Sequence, residues 1–181
     1  MKCFLILILV LLTSIVEAQT PQDQLININD LEGKWYINQS NFPMWLKGDR
    51  ISPSFNYTVI KQKENFYLLD EVSYLKKGKI KYNKGIDKPT NNFNTAFVWR
   101  GKGMLHLLKS KWTVLHFDKQ QQWAIIYFEK TLFTPAGYDV ISRNEQLSPS
   151  LALEVDNQLK LLGIQQLLVT LPLADNELEN K

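Results

Sequence analysis

From residue 31 onward, apolar and polar side chains alternate in short runs, and each run stops at residues that turn the chain. The alternation predicts strands near 34–41, 54–63, 66–76, 79–86, 94–101, 104–108, 111–117, 122–129 and 137–143. Gly78, Gly85 with Pro89, Gly101 with Gly103, and Pro135-Ala136-Gly137 supply the breaks. Many short strands between turns predict an antiparallel sandwich or barrel rather than alternating strands and helices. One segment departs from the two-residue period. In "SPSLALEVDNQLKLLG", Ser148 is placed to cap, Pro149 fits the first helical position and Gly163 fits a left-handed end. Leu151, Val155, Leu159 and Leu162 then fall on one helical face, which must pack on something apolar, most simply the outside of a sheet. A last strand is expected from Gln165 to Leu171. No internal repeat or low-complexity tract interrupts this order.

The ends follow different rules. Residues 1–18 read as a secretory signal: Lys2 gives the positive start, Phe4 to Leu12 the apolar run, and Val16-Glu17-Ala18 the cleavage position. The apolar run is too short for a membrane span. Export of the protein, to the outside of the cell or to a periplasm, is the expectation. Residues 19–30 read as a flexible, polar segment with a short turn at Ile28 to Leu31, residues 31–173 as one domain, and residues 174–181 as a disordered acidic tail. The single cysteine, Cys3, lies inside the signal, so the processed chain carries no disulfide and no thiol chemistry.

A net charge of +3 is a mild solubilising excess and gives no support to nucleic-acid binding. Its one concentration, Lys76, Lys77, Lys79, Lys81 and Lys84, predicts a solvated hairpin, with peripheral contact to anionic lipid headgroups as the functional alternative.

Gly33-Lys34-Trp35 behind a short turn, the strands that follow, and "GYDVISRNEQLSP" leading into one amphipathic helix and a last strand together resemble the lipocalin family. The similarity is closest to the bacterial, apolipoprotein D-like type and spans nearly the whole processed chain. The resemblance implies an all-β fold: an eight-stranded antiparallel up-and-down barrel with one flanking C-terminal helix. It implies that Trp35 plugs the closed end and that Arg143 lies across it. Asp118 matches half of a family Asp-Tyr pair whose tyrosine is absent here. Physical reasoning leads to the same arrangement. A closed barrel has no free sheet edges but needs a floor, which a buried indole is large enough to supply. A guanidinium stacked on that ring adds roughly 1–2 kcal/mol when shielded from water. Gly33, Trp35, Asp118 and Arg143 are therefore read as scaffold.

Strand parity assigns faces. With Trp35 inward, Ile37 and Gln39 follow it, while Asn38 and Ser40 face out. The sequon Asn38-Gln39-Ser40 is then a possible glycan acceptor, as is Asn56-Tyr57-Thr58 with Asn56 outward. The same alternation nominates Tyr57, Val59, Leu68, Tyr74, Phe97, Trp99, Val114 and Tyr127 for an interior wall, with Trp112 and His116 sharing the face of Val114. An eight-stranded barrel is either filled by its own side chains or holds one small ligand.

A wall of this composition suits a small hydrophobic ligand such as a fatty acid, lysolipid or retinoid. The expected protein is a carrier, monomeric or weakly dimeric, with no cofactor and no metal. Catalysis has little to work with. His106 and His116 are the only histidines, and there is no nucleophile elbow, phosphate loop or metal-type cluster. Asp70 and Glu71 point to opposite faces of a regular strand, which suits no paired acid and base. The alternative reading is a lipocalin-fold enzyme acting on a bound lipid or isoprenoid, with His116 beside Asp118 as its base.

Overall fold

The computed structural model describes residues 24–174. The expected signal segment and the tail beyond Ala174 lie outside the described residues. Eight main strands run in chain order: β1 (Gly33–Ser40), β2 (Ile51–Gln62), β3 (Asn65–Lys76), β4 (Lys79–Pro89), β5 (Ala96–Gly101), β6 (Lys109–Asp118), β7 (Trp123–Phe128) and β8 (Gly137–Ser142). Each pairs antiparallel with the next, and β1 pairs with both β8 and β2, closing an up-and-down barrel. A two-residue strand, β9 (Val169–Thr170), adds to β1 at Gln39 and Ser40. The expected strand near 104–108 is instead a short 3-10 turn, Gly103–Leu105, within the β5–β6 connection. The last strand is much shorter than expected.

Among the described residues there are two α-helices. The first, α1 (Pro43–Leu46), starts at the proline of "NFPMWL" and buries Trp45. The alternation pattern did not anticipate it. The second, α2 (Pro149–Leu161), follows the expected rules: Ser148 Oγ accepts from Leu151 N at 3.2 Å, and Gly163 has φ +67°. Leu151, Val155 and Leu159 bury against Trp123, Ile125 and Val140 on the outer face of β7 and β8, with Leu162 partly buried beside them. These strands therefore bury both faces, one against the barrel interior and one against the helix.

The segment expected to be loose is packed from Gln24 onward. Gln24 donates to Phe117 O at 2.5 Å, Ile26 N donates to Phe93 O at 2.9 Å, and Ile26, Ile28 and Leu31 are buried with Trp35. Burial of three aliphatic side chains outweighs the polar residues between them.

Trp35 is fully buried at this end, 6.0 Å from the Phe117 ring, and its Nε1 donates to Leu31 O at 2.8 Å. The Arg143 guanidinium lies 3.7 Å from the Trp35 ring centroid. Its Nη2 donates to Glu32 O at 2.6 Å and Asp30 O at 3.1 Å, and its Nη1 donates to Lys34 O at 2.9 Å. Gly33, at φ +95°, permits this approach, since a Cβ there would sit 3.2 Å from Arg143 Nη1. Asp118 closes the β6–β7 turn by itself: its Oδ1 accepts from Gln120 N and Gln121 N, each at 2.8 Å.

Candidate ligand cavity

Strand parity sets the interior in two layers. In the lower layer, Tyr57, Leu68, Phe97, Trp112 and Val114 are buried, with Val59 packed against them. The rings stack: Phe97 on Trp112 at 4.3 Å, Trp112 on Tyr57 at 6.1 Å, and Tyr57 on Phe55 at 5.8 Å. This half is filled by its own side chains. Above it, the open half of the barrel contains a cavity of about 440 Å³. Phe42, Trp45, Phe55, Val72, Trp99 and Phe128 form most of its apolar wall, while Asn83, Ser110 and Asp139 bring polar atoms to it.

Of the eight residues nominated for the wall, Trp99 lines this cavity. Tyr57, Val59, Leu68, Phe97 and Val114 face inward but belong to the packed layer beneath. Tyr74 stands near α1, 5.8 Å from Trp45 and under the Arg50 guanidinium. Tyr127 is a correction: it lies on the outer face, paired with Tyr138 at a ring distance of 5.1 Å. In "WAIIYF", Ala124 and Ile126 face inward, and Trp123 and Ile125 face α2. Both sets are apolar, so alternation could not separate them.

His116 is a second correction. A bulge between Val114 and His116 inverts the parity of β6, placing His116 outside against Trp123 at 4.5 Å. Burial lowers its imidazole pKa, with Asp118 and Glu154 acting in the opposite sense.

A third concerns Asn38. A bulge between Ile37 and Gln39 shifts β1, and Asn38 is only 5% exposed. Its Nδ2 donates to Asn144 O and Glu145 O, each at 3.0 Å. A glycan on that nitrogen is incompatible with this packing. Asn56 and Thr58 are exposed, and Asn56 pairs with Lys34 on the outer face.

Three buried carboxylates were not anticipated. Asp87 Oδ1 accepts from Trp112 Nε1 at 2.7 Å, while its Oδ2 has no protein partner. Burial raises its pKa to about 7 despite that hydrogen bond. Burial, then the neighbouring Asp87, raise the pKa of Asp70 well above the carboxylate range. The Trp99 N–H beside it offsets only part, since neither Trp99 Nε1 nor Asp70 Oδ1 completes a hydrogen bond. Gly85 lets the Trp99 indole lie here; a Cβ at that position would overlap the ring. Asp139 faces the cavity, and burial raises its pKa to about 7 against the opposing hydrogen bond of Ser40. Burial, followed by Asp70, Asp87 and Asp139, also holds the Tyr57 hydroxyl protonated far above its ordinary range. Alternation does place Asp139 on the face of Ile141, two residues away, and that was the available signal.

The mouth is apolar and basic. Met104 is 98% exposed and Leu132 90% exposed, with Leu107 and Phe133 also prominent on the β5–β6 and β7–β8 connections. Lys76, Lys77, Lys79 and Lys81 flank the β3–β4 turn, which emerges at this same end. Among the described residues, no helix is long and apolar enough to cross a membrane, and no group of metal-type ligands occurs.

No protein-family model matches the chain, and neither does any curated protein sequence. Solved structures do match. Insecticyanin from the tobacco hornworm Manduca sexta superposes with a TM-score of 0.67 at 14% identity, over 84% of this chain and 83% of its own. Apocrustacyanin C2 gives 0.63 at 13% identity, over 86% and 84%. The siderocalin Ex-FABP, described as functioning through dual ligand specificities, gives 0.60 at 16% identity, over 81% and 97%. The barrel has the lipocalin fold.

Proposed function

We propose that this protein is an exported carrier that takes one small hydrophobic molecule into the open half of the barrel and leaves it chemically unchanged. The observation that carries this reading is the cavity of about 440 Å³, walled by aromatic and aliphatic side chains above a stacked aromatic floor. A pocket of this size and lining is typical of small-molecule sites. The dual ligand specificities of the siderocalin Ex-FABP support it by analogy of fold.

Binding follows from displacing water that the apolar wall cannot satisfy. Burying about ten methylenes gains on the order of 8 kcal/mol, and lost translational and rotational freedom removes about 4 kcal/mol or more. Micromolar or weaker affinity with broad selectivity results. Neither histidine lines the cavity, so the enzyme alternative receives no support from their placement.

Residues 1–18 are the proposed export signal, Asn56 the remaining proposed glycan acceptor, and a monomer or weak dimer the proposed working state. Within the lipocalins, the bacterial, apolipoprotein D-like type remains our assignment, on "GYDVISRNEQLSP". The peripheral lipid contact expected from the lysines is proposed at the mouth, where exposed apolar side chains accompany them.

Trp45 and Trp99 line the cavity, so ligand uptake has an intrinsic reporter. Saturable quenching of tryptophan emission by a fatty acid or retinoid, with no product formed, is the expected outcome. Absence of saturation across such ligands, together with native mass spectrometry finding nothing co-purified from the host, rejects the reading.

A further inference from the structure

The carrier reading leaves the polar chemistry of the cavity unassigned. Asp139 is 2% exposed, lines the cavity, and has an Oδ1 with no protein partner. Asp70 and Asp87 are likewise buried in the barrel, each with one unpartnered oxygen. Among the described residues, no lysine, arginine or histidine is buried to the same degree. These buried carboxyl groups therefore have no internal basic partner, and a cation brought among them would favour their ionised form. A purely apolar cargo would leave the Asp139 oxygen desolvated and unpaired, a cost with no return.

The wall around Asp139 points the same way. Phe42, Trp45, Phe55, Trp99 and Phe128 present ring faces or edges to the cavity, and aromatic faces attract cations as well as apolar groups. Lys109 is the one cation among the lining residues; it is exposed, so its charge stays hydrated at the rim. Ser40 stands opposite Asp139 across β1 and β8, and Asp139 Oδ1 is buried at the cavity wall without a protein partner.

We propose that the cavity is selective for small apolar or aromatic molecules carrying one protonated amine, with the ammonium against the Asp139 carboxylate and the apolar body against Trp99, Phe55 and Phe128. This rests on the carrier reading and names the ligand class for the same cavity. The ammonium supplies the missing donor and counter-charge together, and a charge-assisted hydrogen bond is about twice as strong as a neutral one. An anionic ligand would meet Asp139 with like charge.

Three naphthalene probes of nearly equal size test it by calorimetry at pH 7.5: 1-naphthylmethylamine, 1-naphthylmethanol and 1-naphthoic acid. The amine is expected to bind at least tenfold more tightly than the alcohol, and the acid most weakly. In Asp139→Asn, which keeps the shape and an acceptor for Ser40, the amine should fall to within about twofold of the alcohol while the alcohol is unchanged. Equal binding of amine and alcohol, preference for the acid, or an amine preference that survives Asp139→Asn overturns the proposal. The wild-type series can overturn it even if the variant folds poorly. Alcohol binding without amine preference leaves the carrier reading standing, whereas no binding by any probe counts against both.

Discussion

The two ends of the barrel are built on opposite terms. At the closed end, the Trp35 indole N–H and three guanidinium N–H groups of Arg143 each find a backbone carbonyl, and the Trp35 ring is fully buried. In the open half, Asp139 lies buried with an unpartnered oxygen, and large apolar side chains stand in solvent at the rim. A satisfied polar network rigidifies, while an unsatisfied one is tolerated where something else is gained. The contrast teaches that stability is concentrated at one end and binding capacity at the other, within one continuous sheet.

The largest test of that division is at the floor. Trp35→Ala should lower the unfolding free energy by about 3–5 kcal/mol, measured by urea titration, because it removes a fully buried indole and opens a cavity. Arg143→Ala comes next, at about 2–3 kcal/mol, since it frees three backbone carbonyls and removes the stacked charge. Comparable losses from Trp99→Ala would erase the proposed asymmetry.

At the other end, a substitution should stabilise. Asp139 has a pKa of about 7 in the folded protein against about 3.9 when unfolded. Between these values the unfolded chain has released the proton that the folded one retains. Its contribution to stability therefore declines as pH rises from about 4 to about 7, and is level above that. Asp139→Asn should flatten this decline and gain about 1–2 kcal/mol at pH 8, the carboxylate penalty less the cost of burying an amide in its place. Thermal unfolding of both proteins from pH 4 to pH 8 measures it; parallel curves would remove the premise of a strained open half.

The smallest stability effect belongs to the rim. Leu132→Ser with Phe133→Ser should change unfolding by less than about 0.5 kcal/mol, as exposed positions do. The same double variant should weaken binding to anionic phospholipid vesicles severalfold in a sedimentation assay. Unchanged vesicle binding would detach the apolar rim from the proposed lipid contact.

How much of this was legible depended on whether a strand met water on one side. In β2, Phe55, Tyr57 and Val59 alternate with exposed Asn56 and Thr58, and the pattern assigns faces directly. The α2 stripe was legible for the same reason. In β7, the interior and the helix bury both faces, so Tyr127 took the wrong side. The bulges in β1 and β6 invert parity from Gln39 and from His116 onward, and bury Asn38 under the backbone of 144–145, without any proline or glycine to announce them. The extent of the cavity was beyond the pattern altogether. Tyr57 and Trp99 share an interior, yet one is pinned in a ring stack and the other borders open space, and only packing in three dimensions distinguishes them. The chemistry of Asp139 was readable as a residue on an inward face, but its loneliness was not.

The short pairing of β9 with β1 has a practical side. Leu171 N donates to Asn38 O at 2.9 Å, Ser52 N donates to Pro172 O at 3.1 Å, and Ala174 N donates to Ser52 Oγ at 2.6 Å, which carries the backbone up to the connection that bears α1. Residue 174 thus lies beside the doorway. A tether or fluorophore fixed there would report on traffic through the opening, and a bulky fusion partner would obstruct it.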